Sequence, residues 1–209
     1  MTPPEDRARA WLEQQTAVLL DVADRLSDDD LAAPSALQGW TRTHLLAHVG
    51  FNAEALRRLL AWARTGVRTP MYPSRERRDA EIAGAGQWEA ARARAFLRDS
   101  ADVLAADLAA LPPSALDAEL VNAQGRPIPA RVVPWMRVKE VVVHAVDLDA
   151  GTTFAGLPDD VCGALVGDVA ELRSARGDGP ALRLSAPDGQ AWTVWPAPAR
   201  RSRCARTRA

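Results

Sequence analysis

Apolar residues recur three and four apart through most of this chain as far as Gly151, and they alternate one-on, one-off only near its end. That spacing predicts helices first and a little sheet last. Thr2, Pro3, Pro4, Glu5 and Asp6 read as a helix start, with Thr2 as the cap. Ala10, Trp11, Val18, Leu19 and Val22 carry the stripe to about Leu26. Ser27 to Gln38 is polar and holds Pro34, so it reads as a loop with a helical turn after Asp28. Gly39-Trp40-Thr41 opens a second long helix, capped by Thr41 and stopped by Gly66. At 100° per residue its apolar arc gathers Leu45, Val49, Phe51, Leu56, Leu59 and Leu60. His48 and Asn52 fall inside that arc, and His44 lies near its edge.

Thr69 to Ser74 is an extended connector set by two prolines, followed by a short charged helix from Arg75 to Ala83. A third long helix is expected from Gln87 to Leu111, where Pro112-Pro113 stops it. Val121 to Val133 reads as irregular or weakly extended. Pro134 suits the first turn of a fourth long helix that ends near Ala150. Beyond it come an amphipathic helix, Pro158 to Arg176, and two strands, Ala181–Ser185 and Trp192–Trp195, around the turn Pro187-Asp188-Gly189. The expected fold is mainly α: a four-helix bundle over residues 1–152, then a small α/β domain over 153–209.

At 209 residues and 47% hydrophobic composition the chain can bury a core without disulfides or a structural metal. A net charge of -1 disfavours nucleic acid as a partner. Cys162 and Cys204 lie far apart with no Cys-x-x-Cys spacing, which suggests a reducing compartment. The start lacks the basic and apolar regions of a leader, and no apolar run suits a membrane span. A cytoplasmic protein is expected.

The chemistry concentrates in Arg137 to Leu148. Glu140 and His144 stand four apart in a valine-rich run, so they share one helix face that points inward. A buried carboxylate needs a partner or a metal. The chain has three histidines, His44, His48 and His144. His48, deepest in the arc of the second helix, is the preferred third ligand, with His44 as its substitute or companion. Two imidazoles and one carboxylate leave a position open, the pattern of a catalytic zinc site, and they also suit non-haem iron. Read singly, His48 fits a hydrogen-bonded core histidine, and Glu140 fits a surface ion pair; the set is more specific than its members. Asp147, three residues past His144 on the same side of the helix, can orient that imidazole, and fits equally a helix-end cap or the partner of an arginine. Arg78 and Arg137 are candidates for holding a carboxylate.

Gly39 to Val49, Asn52-Ala53, Thr65-Gly66, Thr69-Pro70-Met71-Tyr72, Ala123-Gln124-Gly125-Arg126, and Trp135-Met136-Arg137 through Glu140 to Leu148 closely resemble the mycothiol-dependent maleylpyruvate isomerases. The resemblance covers residues 5 to 195. It implies a DinB-like four-helix bundle carrying a divalent metal, usually zinc, on His48, Glu140 and His144, and so selects His48 over His44. It implies mycothiol as thiol cofactor and maleylpyruvate as substrate, isomerised to fumarylpyruvate in gentisate breakdown. A mycothiol S-transferase of the same bundle, or a metal-binding bundle without catalysis, are the rival readings. The resemblance also implies a C-terminal domain that continues past Trp195 and contributes an arginine. Pro196 to Ala209 is arginine-rich and departs from that pattern, which is expected of a truncated or frameshifted tail.

Overall fold

Side-chain oxygens start the helices where the sequence offers them. Ser27, Thr41 and Ser74 each accept a hydrogen bond from a backbone N–H in the turn that follows. They open α2 (Asp28–Ala32), α3 (Arg42–Thr65) and α4 (Arg75–Ala85). Ahead of these, α1 (Glu5–Arg25) starts without a side-chain cap. Thr2 is not its cap: Pro4 occupies that position in an extended conformation, and Glu5 and Asp6 supply negative charge to the first turn. The computed structural model describes residues 2–177 and 179–195. It divides into two compact units, Pro3–Gly156 and a second beginning at Leu157.

The first unit also holds α5 (Ala90–Ala109), β1 (Glu119–Val121), β2 (Pro127–Pro129) and α6 (Val133–Asp147). The stretch expected to be weakly extended is a β1–β2 hairpin, with Glu119 opposite Pro129. The Asn122 carboxamide oxygen accepts from the backbone N–H groups of Gln124 and Arg126, and Gly125 turns the chain at φ 75°. Pro134 lies in the first turn of α6. The helix stops at Asp147, short of Ala150, because Asp149 enters the left-handed region at φ 51°.

The four long helices α1, α3, α5 and α6 form a bundle in which α6 packs on α1 and α3, and α5 packs on α3 and α1. Two of the three consecutive pairs in this set, α1 with α3 and α5 with α6, therefore sit on diagonals. The long connections through α2 and through the hairpin span those diagonals, as crossover links do in other bundles. This arrangement makes neighbours of α3 and α6, the two helices that carry the inward polar residues. Leu19, Leu45, Leu56, Leu59 and Leu104 are almost wholly buried among them, and Trp11 meets Trp135 with ring centroids 6.0 Å apart.

Gly50 brings α3 close to α5. A Cβ there would lie 2.5 Å from the Phe96 ring. Phe96 is held between Phe51 and Trp88, at centroid distances of 4.9 and 5.3 Å, so it has little freedom to yield. Gly50→Ala adds an overpacking cost of about 1–3 kcal/mol, offset in part by the ~1 kcal/mol that alanine gains in a helix, and a net loss of about 1 kcal/mol is expected. A urea titration with an unchanged slope and a lower midpoint is the expected result.

In the second unit, α7 (Asp159–Arg176) packs on β4 (Ala191–Val194), which pairs antiparallel with β3 (Leu182–Ser185). Leu182 stands opposite Val194, and Ser185 opposite Ala191. The Ser174 hydroxyl accepts from the Trp195 N–H at 3.0 Å. Cys204 and the arginine-rich tail from Pro196 lie outside the described residues. No helix among the described residues is long and apolar enough to cross a membrane.

Candidate metal centre

Thr41 sets the register of α3 through a reciprocal cap. Its hydroxyl accepts from the His44 N–H, while His44 Nδ1 accepts from the Thr41 N–H at 3.1 Å. His44 is thereby committed to the helix start. Its ring stacks on Trp40, and its Nε2 lies where a Cβ on Gly86 would be. One turn further along α3, His48 points between the helices and is 6% exposed. From α6, Glu140 and His144 reach the same point.

The three side chains converge closely. His48 Nε2 lies 3.1 Å from His144 Nε2 and 3.2 Å from Glu140 Oε2. His144 Nε2 lies 3.4 Å from the same carboxylate oxygen. Among the described residues, these three form the one cluster of at least three His, Cys, Asp or Glu side chains suited to a metal ion. Asp147 Oδ2 sits 2.9 Å from His144 Nδ1. The carboxylate can only accept, so it fixes the proton on Nδ1 and leaves the Nε2 lone pair facing the cluster. Neutral His48 with its proton on Nδ1 presents the same kind of lone pair. Two imidazole lone pairs and a carboxylate oxygen then crowd one point, an arrangement that calls for a cation. Bonds of about 2.0–2.1 Å to a tetrahedral zinc set its ligand atoms ~3.3 Å apart, which is close to the spacing here.

The electrostatics call for positive charge at the same point. Burial lowers the His48 imidazole from its ordinary value, although Glu140 pulls the other way. At Glu140 burial works to raise the carboxyl, but hydrogen bonds to His144 and His48 outweigh it and hold the group well below the usual carboxylate range. Burial also opposes protonation of His144; Glu140 and Asp147 together overcome it and raise that imidazole.

His48 and Glu140 form part of the wall of a cavity of about 750 Å³. Trp62, Met71, Tyr72 and Met136 supply apolar wall, and the hairpin turn from Asn122 to Gly125 closes one side. Arg68, Arg75, Arg78 and Lys139 also line it, while among the described lining residues Glu140 alone is acidic. The field inside therefore favours anions. Arg78 lies over the Tyr72 ring, with 5.6 Å from its guanidinium carbon to the centroid, and donates to Asp79. Burial raises the Tyr72 hydroxyl above its ordinary value.

Arg137 takes a different place from the one its sequence neighbours suggested. It does not line this cavity. It is 1% exposed, and its Nη1 donates to the Val49 carbonyl at 2.6 Å and to Asn52 Oδ1 at 2.9 Å. Its position three residues before Glu140 directs it between α6 and α3, behind the cavity wall. Of the two arginines, Arg78 lines the cavity and Arg137 does not. The contributions of Asn52, Arg68, Arg75 and Lys139 to the wall are new from the structure. The sequence held one signal for them: Asn52 lies in the apolar arc beside His48.

Residues 12–149 match the family model described as the mycothiol maleylpyruvate isomerase N-terminal domain. The crystal structure of a mycothiol-dependent maleylpyruvate isomerase superposes with a TM-score of 0.88 at 33% identity, covering 93% of this chain and 81% of the other. A histidine-to-alanine mutant of a mycothiol-dependent maleylpyruvate isomerase gives 0.87 at the same identity and coverage. YfiT from Bacillus subtilis, described as a probable metal-dependent hydrolase with an unusual four-helix bundle topology, gives 0.54 at 16% identity, over 69% of this chain and 85% of its own. That likeness concerns the fold alone. No curated protein matches the chain.

Proposed function

The chain belongs to the mycothiol maleylpyruvate isomerase N-terminal domain family, and on that premise we propose that it is a metal- and mycothiol-dependent cis–trans isomerase converting maleylpyruvate to fumarylpyruvate. The observation that carries the reading is the meeting of His48, Glu140 and His144 at the wall of a cation-lined cavity. In this reading the three residues hold a divalent metal, zinc being the best fit to two imidazoles and a carboxylate with an open position. When bound, the metal and the thiol together supply a nucleophile at neutral pH whose reversible addition leaves a single bond free to rotate.

The chain's own residues arrange the rest. Asp147 holds the His144 ring so that Nε2 faces the ligand cluster. Arg78 lines the cavity where one carboxylate of a dicarboxylic substrate is bound, and its guanidinium is steadied by Asp79 and the Tyr72 face. The apolar wall of Trp62, Met71 and Met136 lowers the local dielectric and strengthens those charge contacts.

The deciding experiment measures metal content and maleylpyruvate turnover with and without mycothiol on the full chain. About one metal per chain and thiol-dependent turnover are expected. Metal without maleylpyruvate turnover overturns the reading, and turnover of a chlorinated arene with mycothiol would reassign the protein as a thiol transferase. Asp147→Asn is expected to weaken metal binding about 10–100-fold. Competition with a fluorescent chelator gives that affinity.

A further inference from the structure

Asn52 is buried, at 5% exposure, one helical turn beyond His48, and it lines the same cavity. Its amide has two different ends, and Arg137 decides which way round it sits. A guanidinium carries only donors, so the atom 2.9 Å from Arg137 Nη1 must be the carbonyl oxygen Oδ1. The NH2 group of Asn52 then faces away from Arg137. Among the described residues nothing accepts a hydrogen bond from it. An amide donor without a protein acceptor, open to a cavity lined by cations, is complementary to an anion.

Arg137 is built for this task. It is fixed by the Val49 carbonyl as well as by Asn52, and its second terminal nitrogen, Nη2, has no partner. Val49 and Asn52 both belong to α3, so the guanidinium from α6 locks the amide and the helix that bears it together. An asparagine with a neutral neighbour could turn its oxygen into the cavity, where it would repel an anion. Here that flip would aim NH2 at a guanidinium, so the donor stays presented.

We infer that Asn52 binds substrate: its Nδ2–H donates to an anionic oxygen of the ligand in the cavity, in an orientation imposed by the positioning residue Arg137. The inference rests on the isomerase reading for the identity of the substrate, but not for the donor itself.

Two variants share the loss of that donor and little else. Asn52→Asp keeps an oxygen toward Arg137, preserving the buried pairing, and presents an acceptor to the cavity. Asn52→Ala removes the donor without adding charge, although it also leaves Arg137 Nη1 with one acceptor fewer. With metal-loaded protein, oxalate is the probe, its affinity read by calorimetry; both variants are expected to bind it at least fivefold more weakly than the parent chain. In the maleylpyruvate assay, Asn52→Asp is expected to lose about 100-fold in kcat/KM, the scale for one donor to a charged oxygen, with metal content and melting temperature held. Oxalate binding weakened less than fivefold in Asn52→Ala overturns the inference, because repulsion alone then explains the aspartate. A kcat/KM loss under tenfold in Asn52→Asp overturns it as well. A parent chain that binds oxalate through Asn52 but does not turn over maleylpyruvate leaves the inference standing and removes the isomerase reading instead.

Discussion

His48→Ala is expected to leave a folded bundle that no longer holds its metal and no longer isomerises maleylpyruvate. The substitution removes the arm that α3 contributes to the ligand cluster, leaving Glu140 and His144 on α6 alone. Two ligands from one helix face still bind metal weakly, but they lose the fixed spacing that three side chains on two helices provide. Metal content should fall from about one per chain to under a tenth after dialysis against micromolar chelator. Lewis-acid and thiolate-generating effects are worth several kcal/mol, so kcat/KM should fall by about 10³-fold or more. Alanine is a good helix former, so far-ultraviolet circular dichroism should match the parent chain. A variant that has lost its metal and still isomerises at the parent rate would sink the mechanism.

Arg137→Ala is expected to produce the largest loss of stability among single substitutions at this site. Opposing effects decide its size. Burial holds the guanidinium down to about 10, short of its usual value, so removing the charge relieves a desolvation cost. Against that, a long side chain leaves a void between α6 and α3, and Asn52 Oδ1 loses its donor. Large-to-small changes at buried positions cost about 2–5 kcal/mol, and the relief offsets part of this. A net loss of about 3 kcal/mol, or ~6–12 °C in melting temperature for a chain of this length, is expected. Arg137→Met separates the causes. It fills most of the volume without donating, and it should cost about 1 kcal/mol. If methionine is as damaging as alanine, the hydrogen bonds to α3 matter more than the volume. If alanine is harmless, the guanidinium is no structural tie at all.

The helical faces explain how far the sequence could be read. Valine and alanine around Glu140 and His144, and leucine around His48, mark those polar groups as inward-facing before any fold is drawn. The convergence of the three follows once α3 and α6 are neighbours. Periodicity cannot supply that adjacency, because it says which face is buried and not which helix covers it. The same limit applies to Arg137. Its place beside Glu140 in sequence suggested a carboxylate in the cavity as its partner, whereas its length carries the guanidinium past the cavity wall to the Val49 carbonyl. His44 shows how local chemistry can remove a rival ligand: Thr41 three residues earlier forms a reciprocal cap with it. That signal was present in the sequence, but a histidine at the third helical position is not the usual Glu or Gln of a capping box. The amide of Asn52 had no such local sign. Its orientation depends on a residue 85 positions away.

The diagonal order of the bundle bears on how the protein is made. His48 and His144 are separated by 96 residues, and α5 and the hairpin are both synthesised between them. At roughly 5–20 residues per second on the ribosome, His48 emerges about 5–20 s before its α6 partners. Once α5 has emerged, α3 has it to pack on but still lacks α6. A nascent chain therefore holds α3 and α5 before it holds α6, so the three side chains of the cluster can meet only after the last long helix of the bundle has been made.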